Sequence, residues 1–142
     1  MNKTKILISI IVLAILIQFI PYGKNHTNPA IISTPKWDSP RTKKLFANAC
    51  ADCHSFETKW PLYSKIAPIS WLVYSDVQEG RDHFNVSAWG VQKRNKGDEA
   101  ASEVKEGDMP MFMYPWMHKK ARLSAQQRAD LVAGLKATFG DK

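Results

Sequence analysis

Cysteine is nearly missing from this chain: the 142 residues hold only Cys50 and Cys53, three positions apart. A disulfide framework uses four or more, so none is expected. Two cysteines and four histidines also cannot build a pair of zinc-ribbon knuckles. No apolar–polar alternation of useful length occurs, which leaves no signal for a sheet. No internal repeat occurs either, which excludes a repeat array. The basic residues are scattered, with no stripe that alternates with stacking aromatics, so nucleic-acid binding is excluded.

What is present points to a folded domain. The chain is 44% hydrophobic and 23% charged, which is not the composition of a disordered protein. Aromatics reach 11%, with five Trp. Such a count suits either a flat apolar ligand or a Trp-rich core. The net charge is +7, and setting aside Lys3 and Lys5 leaves +5. That balance favours an acidic partner or an anionic membrane face.

The N-terminus reads as a targeting segment. Ile6 to Ile20 is apolar except for Ser9 and Gln18, and Lys3 and Lys5 precede it. As a helix, Ile6 to Tyr22 would cover about 25 Å, barely enough to span a bilayer. No small-x-small cleavage site and no lipidation Cys follow the run. An uncleaved transmembrane or signal-anchor helix is therefore expected over residues 1–23, with a cleaved signal peptide as the alternative. The two lysines would stay in the cytoplasm and put the rest of the chain outside. Residues 24–38 are polar, carry Pro29 and Pro35, and read as a linker. Residues 39–142 read as the folded domain.

Within that domain, Ser39 is an N-cap followed by Pro40 at the first helical position. Phe46, Cys50 and Cys53 then share one helical face. A second helix is predicted from Ser70 to Gly80, and a third from Asp98 to Glu106, each closed by glycine. The last begins with a capping box, Ser124 with Gln127. Leu131, Val132, Leu135 and Phe139 line one of its faces. The fold class is all-α.

The segment Cys50-Ala51-Asp52-Cys53-His54 carries the chemistry. Cys-x-x-Cys-His is the pattern of covalent c-type haem attachment. Two thiols one helical turn apart can add to the two vinyl groups on one porphyrin edge, and the adjacent imidazole suits iron. A thiol–disulfide site would need a βαβ context, and a zinc site two further ligands; His83 and His118 stand too far apart to supply them. Export of the domain agrees with this chemistry, because covalent haem attachment takes place outside the cytoplasm.

A second iron ligand is expected. Met109 is the leading candidate, between Gly107 and Pro110 in a stiff loop, where a thioether can be aimed with little loss of entropy. His83, His118, another Met or an open position are the alternatives. Trp60, Trp71 and other aromatics could pack round the porphyrin. Trp indole N–H groups and Arg81 could bind its propionates.

These residues resemble the haem-binding domain family of small bacterial cytochrome-c-like proteins. The resemblance rests on Cys50 to Ser55, Glu57 to Ser64, Ile66 to Trp71, Glu79 to Arg81, Asn85 to Trp89, and Gly107 to Pro110 followed by Tyr114 and His118. It spans roughly Pro29 to Gly140. It implies a cytochrome-c-like helical fold, one covalent haem, a periplasmic location and electron transfer. Two departures stand out. Family members often carry His at the position of Ser75, so its loss strengthens Met109. They often carry Pro at the position of Met111.

The expectation is thus a monohaem c-type cytochrome with haem c bound through Cys50 and Cys53. His54 and Met109 would ligate the iron, and the protein would be an electron carrier rather than an enzyme. It would serve a redox partner protein, acidic by charge, at the periplasmic side of the inner membrane. The rival readings are a haem sensor or peroxidase-like enzyme with a labile distal position, and a haem subunit of a larger membrane redox complex.

Overall fold

The computed structural model describes residues 2–140. Met1, Asp141 and Lys142, which the sequence reading put at the ends of the first and last segments, lie outside the described residues. Among the described residues seven α-helices follow in order: α1 (Lys3–Leu16), α2 (Pro40–Ala49), α3 (Ala51–His54), α4 (Ile69–His83), α5 (Ala100–Glu106), α6 (Met113–Met117) and α7 (Ala125–Phe139). Among the described residues there is no strand; an isolated parallel bridge joins Ser33 to Ala88. The all-α expectation holds.

The expected membrane anchor does not. α1 has 14 residues, about 21 Å at 1.5 Å per residue. Among the described residues no helix is long and apolar enough to cross a membrane. The apolar run continues past Leu16, but the helix does not. The chain tightens into a 3-10 turn at Ile17–Phe19, and Ile20 turns extended (φ −67°, ψ 125°). A residue before proline is pushed out of the α region, and Pro21 follows Ile20. Gln18 also leaves the run to serve the domain. Its amide donates to the Ala67 carbonyl and accepts from the Ala67 N–H, both at 3.0 Å.

The segment 24–38 lies along the domain. Asn28 donates to the Thr58 carbonyl. Trp37 packs on Phe46 and Phe139 at ring separations of 5.1 and 5.5 Å.

Local signals start and stop the helices as chain chemistry requires. The Ser39 hydroxyl accepts from the Thr42 N–H, with Pro40 at the first position. Ser124 and Gln127 make both bonds of a capping box. Gly107 closes α5 with φ +93°, which a residue bearing Cβ rarely adopts. Gly80 behaves differently. The expected stop at Gly80 is overrun by three residues, because this glycine is a contact point and not a cap. α4 runs on to His83.

The core is one cluster. Phe46 and Leu45 of α2, Ala101 and Val104 of α5, Leu131 and Leu135 of α7, and Phe84 and Val86 bury together. Each large apolar side chain so buried contributes about 1.5–3 kcal/mol. Phe139, Phe84 and Trp89 extend it as an aromatic layer. Part of the aromatic content therefore builds this wall. α2, α5 and α7 are its frame, and α3 and α4 close over one side of it.

Candidate functional site

Cys50 ends α2 with φ −128°, so the chain breaks there before α3 carries Cys53 and His54. α3 is pressed against α4 at Gly80, where an added Cβ would lie 2.6 Å from the Cys53 carbonyl oxygen. Glycine is what permits that approach. It sets both cysteines and His54 along one wall of a cavity of about 230 Å³, far more than the roughly 10–15 Å³ one water needs. Phe46, Ala49, Phe84, Val104 and Leu135 supply the apolar lining, Met109 and Met111 come from the loop after α5, and Tyr114 comes from α6.

His54 is 8% exposed and its ring stacks on Phe84 at 4.3 Å. Its Nδ1 lies 3.2 Å from the Phe84 carbonyl. A carbonyl can only accept, so Nδ1–H donates and Nε2 keeps a free lone pair. That is the tautomer a metal-binding imidazole needs, fixed by a backbone partner. Burial lowers its pKa, partly offset by that carbonyl, so the ring is neutral near pH 7. Both cysteines are free thiols. Burial pushes each up to about 12, so both are protonated.

Asp52, between the two cysteines, ties α3 to the lining residue Tyr114. Its buried carboxylate accepts from the Lys59 N–H at 3.0 Å, from the Tyr114 hydroxyl and from Lys120 at 3.1 Å. Burial works to raise its pKa, but these donors outweigh it and the net shift is downward. Tyr114 also stacks on His118 at 4.2 Å, and the Tyr63 hydroxyl lies 2.7 Å from His118 Nε2. Sequence reading passed over Asp52, Tyr114 and Lys120 as a unit. The signal available was the polar residue inside the Cys-x-x-Cys turn; its partners lie far along the chain.

Of the residues singled out from sequence, Cys50, Cys53, His54 and Met109 line the one cavity. His83 lines it too, whereas His118 is held by Tyr63 outside the lining. Trp60, Trp71 and Arg81 are not in the lining. Trp60 stacks on His26 at 4.3 Å, and Trp71 sits beside Gly23. The indole N–H groups of both are buried without a partner among the described residues. Arg81 donates to the Ser55 carbonyl, Asn28 and Thr58, which ties the 24–38 segment to α4.

An apolar cavity with a neutral, oriented imidazole and a thioether suits a haem. A model of the haem-binding domain family matches residues 12–137. The chain belongs to this family. No curated protein and no solved structure matches it. The residues of this haem-binding domain fit its cofactor: one buried nitrogen donor, soft sulfur donors and an apolar wall.

Proposed function

We propose that this domain holds one haem c through thioethers from Cys50 and Cys53, with His54 and Met109 on the iron. The single observation that carries the reading is that these four side chains line the same cavity. The bound haem would supply a reversible ferrous–ferric couple. The chain's own residues do the rest. The Phe84 carbonyl orients His54. Met109 is held from both sides: its N–H donates to the Glu103 carbonyl at 3.0 Å, and its own carbonyl accepts from Arg128 at 3.4 Å. A thioether opposite imidazole favours the ferrous state and raises the potential, and the apolar lining that excludes water acts in the same direction.

In this reading the protein is a one-electron carrier, not an enzyme. It works in the periplasm, where covalent attachment takes place, and meets an acidic redox partner protein, since its net charge is +7. The test is a mass and an optical spectrum on the same native sample. The denatured chain should weigh its polypeptide plus one haem. The ferric protein should show the weak near-red band of Met–iron ligation, lost in Met109→Ala, and the ferrous protein should be inert to carbon monoxide. A mass without haem, or a near-red band that survives Met109→Ala, would overturn the respective part. Rapid carbon monoxide binding would move the protein to a sensor or peroxidase-like class.

A further inference from the structure

A haem brings two carboxylates on the edge opposite its vinyl groups, and this cavity is poorly disposed towards them. Four acids line it: Asp76, Glu79, Glu99 and Glu103. Besides His54, the described lining residues offer two side chains able to carry positive charge, Lys96 and His83. Arg81 is spent on protein acceptors elsewhere.

These two sit together. The Lys96 main-chain N–H donates to the His83 main-chain carbonyl at 2.9 Å, which brings the two residues side by side. Along α4, Asp76, Gly80 and His83 follow one another at helical spacing on the face that lines the cavity. Gly80 meets Cys53, and His83 lies one turn farther on, about 4.5 Å along the axis. The stripe therefore runs away from the cysteine contact towards the basic pair. The His83 side is exposed to solvent, which suits a carboxylate that must stay hydrated. Lys96 is already bound to Glu99 at 2.7 Å, but an ammonium has three donors and can serve two acceptors.

We infer that Lys96 and His83 receive the two haem carboxylates, Lys96 while still holding Glu99. This rests on the haem occupying the cavity, which the native mass and spectrum report separately. The test is the propionate bending band in the resonance Raman spectrum of the full-length holoprotein, which moves with hydrogen bonding to the carboxylates. Lys96→Ala and His83→Ala should each shift the band to lower frequency, and the double variant should shift it further. Lys96→Arg should restore the native position. If the double variant misfolds, Lys96→Gln alone should give the partial shift. A band that stays in place in the double variant, or in Lys96→Gln, while the optical spectrum is native, overturns the assignment. A native chain that carries no haem overturns it together with the reading beneath it.

Discussion

Replacing Gly80 by Ala tests how α3 is held on α4. The new methyl would sit 2.6 Å from the Cys53 carbonyl oxygen, 2.8 Å from its Cβ and 3.0 Å from its carbonyl carbon, where ordinary contact begins at 3.4 Å. Two of those atoms are backbone and cannot swing aside, so the helices must part by about 0.8 Å at that point. Alanine gains at most about 0.8–1.0 kcal/mol of helix propensity over glycine in the last turn of α4. Overpacking of a fixed contact costs about 1–3 kcal/mol, and here the obstacle is main chain, so the upper half of that range applies. The clash wins by about 1–2 kcal/mol. Thermal unfolding of the full chain should therefore start roughly 4–8 °C lower. The same displacement moves Cys53 within the cavity wall, so, on the proposed attachment, a fraction of chains should hold haem through one thioether only, seen as a red shift of the pyridine haemochrome band, because the unreacted vinyl group stays conjugated with the ring. If Gly80→Ala melts at or above the native temperature, propensity has won, and the close approach drawn here is not the one the protein makes.

Tyr114→Phe removes one donor from the buried Asp52 carboxylate and should cost about 1.5–3 kcal/mol in denaturant titration, the range for hydrogen bonds to charged groups; a change below that would show that water replaces the hydroxyl. The lowered pKa of Asp52 links stability to pH. A carboxyl depressed in the fold contributes stability that is complete above its unfolded pKa and is lost as pH falls through the folded value. Asp52→Asn should thus be less stable than native at pH 7, and the gap should close as pH falls below the ordinary carboxylate range; a gap that widens in acid would refute the network. In haem-free chain at pH 8, thiols raised from 9.0 to about 12 should alkylate about a thousandfold more slowly than in the unfolded chain. Equal rates with iodoacetamide would mean that the thiols are not buried as described.

The parts of this fold that could be read in advance are those built from neighbours. The Ser39 cap, the Ser124–Gln127 box and the Gly107 stop each use residues within four positions of one another. So does the set Cys50, Cys53 and His54. Hydropathy misjudged the first helix for a related reason. Ile6 to Ile20 is uniformly apolar, but the helix end depends on Pro21 and on Gln18 reaching Ala67, 49 positions away. Arg81 has the right chemistry for carboxylates, yet its three acceptors are supplied by the fold. α6 was not foreseen, because a five-residue helix carries too short a pattern to register.

By itself the chain's order of residues determined the helical class, the Cys-x-x-Cys-His spacing and the nature of the donors available, since spacing along a helix and side-chain chemistry are local properties. Only the tertiary structure decided that Met109 and His83 face the same cavity as His54, that the Phe84 carbonyl selects the imidazole tautomer, and that Trp60, Trp71 and Arg81 stand elsewhere. Those outcomes depend on how α4, α5 and α7 pack round one core, and packing joins residues whose separation along the chain carries no mark of it.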